Sequence, residues 1–224
     1  MPRVEFSASM MCANYANLQR EVTELEAAGI DSFHIDLMDG RFVDNFGMGY
    51  QDMTFIRSAT AKPMEAHLML EDPHTYLDII APMNFSTVYI HPEADKNPAG
   101  ALEKLEKMGI TPGISLNPGT AIEQVAELLH PARKVMVMCV NPGHAGRTVL
   151  PYVDLKIERL LDMKEKYDFE IILDGGCTPE RIRKFSAMGV DAFVLGTATL
   201  FGKDRRYSEI LPRLRDSIEN PVLA

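Results

Sequence analysis

Met11-Cys12-Ala13-Asn14-Tyr15, the turn that leaves the first predicted strand, contains no glycine. An open, doubly wound α/β sheet wants a GxGxxG turn there, where glycines let backbone approach a pyrophosphate and seat the next helix. Outward from this turn the chain alternates strand and helix without a linker or low-complexity stretch. Predicted strands are Val4–Met11, Ser32–Met38, Met64–Met69, Thr87–His91, Thr111–Leu116, Lys134–Cys139, Glu170–Leu173 and Ala192–Leu195. They are short, largely apolar and lack one-sided alternation, as parallel strands covered on both faces do. Eight strands alternating with eight helices leave a closed barrel or an open sheet. The glycine-free first turn selects the closed (β/α)8 TIM barrel, as a single α/β domain over residues 1–224.

Helical periodicity fills the gaps between strands. Tyr15, Leu18, Val22 and Leu25 share a face, and Gly29 stands where a C-terminal glycine belongs. Leu102, Leu105 and Met108 repeat the pattern and end at Gly109. Thr120 and Glu123 have capping-box spacing before Val125, Leu128 and Leu129. Thr178-Pro179 predicts an N-cap followed by proline at the first helical position, with Gly189 ending that helix. Tyr207, Leu211, Leu214 and Ile218 supply the last amphipathic face. An internal echo, Ala28-Gly-Ile-Asp-Ser-Phe33 against Met188-Gly-Val-Asp-Ala-Phe193, supports equal units; Met108-Gly-Ile-Thr111 shares its opening.

Composition narrows the partners. The 224 residues are 46% hydrophobic and 25% charged, the globular average, and the net charge of −9 argues against nucleic acid. The densest basic run, Arg181-Ile-Arg183-Lys184, reads as a solvated helix face. No apolar run approaches the length of a membrane span, and the N-terminus lacks a secretory signal, so a cytoplasmic address is expected. Cys12, Cys139 and Cys177 are odd in number and unspaced for zinc or disulfides. They read as small hydrophobes near the barrel mouth.

A barrel of this kind carries its site at the C-terminal ends of its strands. Period two places His34, Asp36 and Met38 on one side of the second strand, and His67 and Met69 on one side of the third. The seventh strand runs into Asp174. Two imidazoles and two carboxylates in one lumen form a set that Zn²⁺ accepts and that more oxygen-loving divalent ions tolerate. Singly, each residue also fits a hydrogen-bonded structural role. Asn141-Pro-Gly143-His144-Ala145-Gly146-Arg147, Gly175-Gly176 and Gly196-Thr197 follow the sixth, seventh and eighth strands. Any one of these loops is explained as a tight turn, but three in adjacent positions predict backbone N–H groups gathered for a phosphate.

With these residues assembled, the chain resembles the ribulose-phosphate 3-epimerase family over essentially its whole length. The resemblance rests on Phe33-His-Ile-Asp-Leu-Met-Asp-Gly40, His67-Leu-Met69, Val140-Asn-Pro-Gly143, Leu173-Asp-Gly-Gly176 and Leu195-Gly-Thr197. It implies a metal-dependent barrel with His34, Asp36, His67 and Asp174 as ligands of one divalent ion. Zn²⁺ comes first, with Mg²⁺, Mn²⁺, Fe²⁺ or Co²⁺ as other candidates. It implies Asp36 and Asp174 as paired acid and base, Ser9 hydrogen-bonding beside the reacting centre, and Met38, Met69 and Met138 packing against the intermediate. Gly143, Gly146, Gly175, Gly176, Gly196 and Thr197 would hold the phosphate, with His144 and Ala145 on the same sixth loop. A homo-oligomer, dimer or hexamer, is implied too. Ala8, Arg41, Asp44, His144 and Arg147 depart from the usual family residues; the last two lie near the phosphate-bearing end, which bears on the substrate more than on the reaction.

Met11-Cys12, Cys177 and Gly196-Thr-Ala-Thr-Leu-Phe201 are similar to the branch that converts D-allulose 6-phosphate to D-fructose 6-phosphate. That substrate is the first expectation, and D-ribulose 5-phosphate, giving D-xylulose 5-phosphate, is the alternative. A Schiff-base aldolase needs a lysine at the inner end of a strand, whereas Lys62 and Lys134 precede theirs. Related decarboxylases carry Asp-x-Lys-x-x-Asp, whereas Asp36-Leu-Met-Asp39 has no lysine. A non-catalytic sugar-phosphate-binding barrel is the remaining rival, and the intact His/Asp set argues against it.

Overall fold

A computed structural model of the chain describes residues 3–220. Eight parallel strands close into a barrel in chain order: β1 (Glu5–Ser9), β2 (Ser32–Met38), β3 (Met64–Met69), β4 (Thr87–Ile90), β5 (Thr111–Leu116), β6 (Lys134–Met138), β7 (Glu170–Asp174) and β8 (Ala192–Leu195). The ring shuts where β1 pairs with β8, from Glu5↔Ala192 to Ala8↔Leu195. The first strand is shorter than its apolar run. Its ladder to β2 ends at Ser9↔His34, and Met10–Cys12 turns away as a 3-10 segment.

Around the barrel lie α1 (Leu18–Ala27), α2 (Tyr50–Ala59), α3 (Leu77–Ile80), α4 (Pro98–Lys107), α5 (Val153–Tyr167), α6 (Pro179–Met188) and α7 (Tyr207–Glu219). The helix expected after Thr120 does not form. Two 3-10 turns, Ile122–Gln124 and Ala126–Leu129, take its place between β5 and β6. Thr120 turns its hydroxyl to Glu93 at 2.7 Å instead of capping, and Val125 leaves helical geometry between the turns. Their burial of Ile122, Val125 and Leu129 still covers the barrel wall. Thr178 does cap α6, accepting from the Arg181 amide at 3.3 Å. The basic run on α6 is not simply a solvated face: Arg181 and Lys184 both reach Asp154 of α5 at 2.8 Å.

Strand alternation sorts the interior into two layers. Phe33, Ile35 and Leu37 of β2 join the large cluster between barrel and helices. Tyr89, Met136, Met138, Ile172, Ala192 and Val194 form a separate cluster inside the barrel. Lys134 starts β6 at the N-terminal end, between Glu5, Glu65 and Glu170 at 3.2–3.8 Å. It is structural, at the end of the barrel opposite the strand tips.

The sequence echo has one physical job repeated twice. Gly29 and Gly189 leave their helices at φ +87° and +106°, and an aspartate follows two residues on. Asp31 accepts the Phe6 amide at 2.7 Å and also binds Arg215, which reaches the Gly29 carbonyl. Asp191 accepts the Ile171 amide at 2.7 Å and binds Lys164, which reaches the Gly189 carbonyl. Each aspartate thus pins a helix end to the start of a strand. Among the described residues no helix is long and apolar enough to cross a membrane, and all three cysteines are free.

Candidate metal centre

Parallel register brings the chemistry together. His34 stands opposite Ser9, Asp36 opposite His67, Met38 opposite Met69, and Met138 opposite Asp174. Their faces point into the lumen, so five strands, β1, β2, β3, β6 and β7, contribute to one region near the C-terminal end. His34, Asp36, His67 and Asp174 each offer one ligand atom, and these atoms all lie within 4.8 Å of one another. Metal bonds of about 2.1 Å span about 4 Å across an ion, so a small inward movement closes the set. His67 Nδ1 is 3.2 Å from Asp36 Oδ1 and 3.6 Å from Asp174 Oδ2; His34 Nε2 is 3.5 Å from Asp36 Oδ1. Ser9 donates to the other Asp36 oxygen at 2.8 Å.

His34 is fully buried, yet neither of its nitrogens has a hydrogen-bond partner. An imidazole is not left unsatisfied in a barrel core without cost, and either of these nitrogens, when unprotonated, is a donor atom that a bound cation could engage. The donor set itself, two nitrogens and two carboxylates, suits a divalent cation.

The two carboxylates are driven in opposite directions. Burial alone would raise Asp36, but His34 and His67 beside it outweigh burial and hold its carboxyl well below the usual range. Burial raises Asp174, and the neighbouring Asp36 charge raises it further. Burial likewise opposes charge on His34, but Asp36 and Glu65 win and push it up to about 10. A pair of carboxylates with acidities pushed apart is the arrangement that acid–base chemistry uses.

Above the cluster lies a cavity of about 440 Å³. Asp36 and Asp174 form part of its floor, with Ser9, Met38, Met69 and Met138 around them. Gly143, His144, Ala145, Gly146, Gly175, Gly176, Gly196 and Thr197 line its walls. His34 and His67 sit beneath, turned to the aspartates. Gly175 and Gly176 hold φ +88° and +61°, and a Cβ there would strike Val140 at 2.5 Å and Val149 at 2.1 Å. Gly196 has no such requirement; its Cβ would only touch Cys12 Sγ at 3.5 Å.

The loop after β2 folds back across the mouth. Asp39 gathers the amides of Arg41, Phe42 and Glu71 at 2.7–3.0 Å, and Asn45 donates to the Gly143 carbonyl at 2.6 Å. Two of the unusual residues meet there with a third: Arg147 contacts Asp44 Oδ1 at 3.3 Å and His144 Nδ1 at 3.0 Å. Arg147 is the one lysine or arginine among the described residues lining the cavity. Arg41 points elsewhere, to Glu71 on the next loop.

Sequence reasoning missed the surroundings of the imidazoles. His91, just past β4, lies 2.8 Å from His67 Nε2, and Glu65 lies 3.6 Å from His34 Nδ1. Glu65 shares the lumen face with His67 and Met69, so period two carried that signal. His91 follows its strand's last residue, where the ladder no longer fixes a face. Thr178, Val140 and Val194 also line the cavity.

Barrel and centre together define a (β/α)8 protein with a buried His/Asp cluster able to hold a cation beneath glycine-rich loops. Comparison with known proteins makes this specific. Residues 5–200 match the model of the ribulose-phosphate 3-epimerase family. The chain is 34% identical over 203 residues to ribulose-phosphate 3-epimerase of Methanocaldococcus jannaschii, covering 90% of this chain and 86% of that protein. It is 30% identical over 207 residues to the Bacillus subtilis protein of the same name, covering 91% and 95%. The fold is similar to that of thiamine phosphate pyrophosphorylase from Pyrococcus furiosus, with a TM-score of 0.65, 16% identity and 99% and 97% of the two chains covered. The chain belongs to the ribulose-phosphate 3-epimerase family and is an epimerase of the isomerase class.

Proposed function

We propose that this protein is a metal-dependent ketose-phosphate 3-epimerase that interconverts D-ribulose 5-phosphate and D-xylulose 5-phosphate. The observation that carries the reading is the fully buried His34, unsatisfied at both nitrogens, beside two aspartates of opposed acidity. His34, Asp36, His67 and Asp174 would hold the ion. Zn²⁺ is the first candidate from the donor set. When bound, the ion supplies Lewis-acid charge that makes the proton at C3 more acidic.

The rest is done by the chain's own groups. Inverting C3 takes a proton from one face and returns one to the other, which a single base cannot reach. Asp36, held ionised, is suited to accept the C3 proton, and Asp174, held towards its acid form, is suited to deliver one to the opposite face. The reverse direction exchanges their roles. Ser9 fixes Asp36 through its 2.8 Å bond, so the carboxylate does not have to reorient during the reaction. Met38, Met69 and Met138, all buried, exclude water while presenting no charge of their own. Backbone N–H groups around Gly146, Gly175, Gly176 and Gly196 suit the phosphate, with Arg147 as the nearby cation. Phosphate capture at that end sets C3 over the aspartates.

The pentose is favoured over the hexose because the relatives at 30–34% identity carry the ribulose-phosphate name. D-allulose 6-phosphate remains the second reading: Cys12 and Gly196, two positions behind that resemblance, line the cavity. Assaying both sugars separates them, and faster turnover of the hexose phosphate reverses the preference. Turnover in D₂O should place deuterium at C3, and unlabelled product would sink the proton-transfer scheme. A homo-oligomer is supported by Tyr15 and Phe55, large exposed residues that share one groove. A relative from rice is named a cytoplasmic isoform, which supports the same address here.

A further inference from the structure

We infer that Glu93, acting through His91, and Glu65, acting directly, are positioning residues that choose which nitrogen each imidazole turns toward the cation. This rests on the metal reading above. His67 presents Nδ1 to Asp36 and Asp174, and its Nε2 lies 2.8 Å from His91 Nε2. Two imidazole nitrogens that close share a single proton, one donating and one accepting. Two arrangements are open. With the proton on His67 Nε2, the Nδ1 lone pair faces the centre and is free to bind an ion. With the proton on His91 Nε2, His67 must accept there, and its Nδ1 then carries hydrogen into the centre.

Glu93 breaks this tie. His91 is fully buried, and its Nδ1 has no hydrogen-bond partner but faces Glu93 Oε1 at 3.7 Å. A carboxylate only accepts, so it draws the His91 proton to Nδ1 and leaves His91 Nε2 as the acceptor from His67. Glu93 is itself aimed by Thr120, whose hydroxyl donates to the same oxygen at 2.7 Å. This is the bond that diverts Thr120 from capping a helix. Phe42 covers the His91 ring at a centroid distance of 4.7 Å, keeping water from competing.

The second imidazole has the same arrangement without a relay. His34 turns Nε2 to Asp36, and its unpartnered Nδ1 faces Glu65 Oε2 at 3.6 Å. Glu65 is buried and lies 3.7 Å from Lys134 Nζ, which offsets its charge. A slight ring rotation turns each of these approaches into a hydrogen bond. Both imidazoles would then offer lone pairs to the same point, each backed by a carboxylate, an arrangement that orients metal ligands and raises their basicity.

The test compares zinc affinity, by competition with a chromophoric chelator, in wild type, Glu65→Met, Glu93→Met and the Gln variants of both positions. Methionine keeps length but cannot accept as a carboxylate does, whereas glutamine retains an acceptor oxygen. Each Met variant should bind zinc about 10–100-fold more weakly, and Gln should recover most of the loss. The melting temperature of the metal-free variants reports any purely structural effect separately. ¹⁵N NMR of the zinc-loaded wild type gives a readout independent of mutation: protons belong on His67 Nε2 and His91 Nδ1. Met variants that bind as tightly as wild type, or a proton on His91 Nε2, would overturn the inference alone. Wild-type protein that takes up no divalent ion would overturn the metal reading and this inference together.

Discussion

Asp36 accepts the Ser9 hydroxyl on one oxygen and has His67 at 3.2 Å and His34 at 3.5 Å from the other, so replacing it by asparagine keeps the shape and removes the charge. Asp36→Asn and Asp174→Asn should each lower kcat by about 10²–10⁴-fold with an unchanged circular dichroism spectrum. Near-normal turnover in either variant removes the two-base scheme. Arg147→Gln should instead raise KM for the sugar phosphate and spare kcat, since Arg147 sits on the rim and not against the aspartates. A matching fall in kcat, with KM unchanged, would place Arg147 in the chemistry itself. His34, Asp36 and His67 were legible from period two alone, and Asp174 from its place at a strand end. The partnership of His67 with His91 was not, because it depends on where a side chain turns once its strand has ended.

The helices and strands were mostly read correctly because their ends are marked by chemistry. Gly109 and Gly189 sit at φ +75° and +106°, and no neighbour crowds a Cβ at Gly109. Gly109→Ala should therefore cost about 1–2 kcal/mol from backbone strain alone, measurable by urea denaturation. A neutral result would show that the α4–β5 turn relaxes out of the left-handed region. The segment after Thr120 escaped the reading because its spacing mimics a cap while the hydroxyl is engaged by Glu93. Between α5 and α6, burial would raise Asp154, but Lys184 and Arg181 outweigh it and lower the carboxyl. A lowered folded value means the clamp contributes fully above about pH 4 and is lost as pH falls through that value. Asp154→Asn should thus destabilise at neutral pH, on the order of 1 kcal/mol after solvent screening, and progressively less in acid. A pH-independent loss would assign the effect to packing.

The complete molecule stores part of its stability in the centre if an ion binds only the folded form. At a free ion concentration about a hundred times Kd, binding adds about 2.7 kcal/mol, or about 5–10 °C for a chain of this size. EDTA treatment should lower the melting temperature by that order, and zinc should restore it. Identical curves with and without chelator would mean that the cluster holds no ion.

Because β8 hydrogen-bonds back onto β1, the wall of this cylinder has no first or last stave. Where the polypeptide happens to start is then a matter of ancestry more than of mechanics. A rearranged gene that links Asn220 back to Arg3 by a flexible tether and opens the chain near Asp168, in the turn before β7, should still assemble the same lumen. β8 and β1 would then be consecutive along the chain, and β7 and β6 would become its first and last strands.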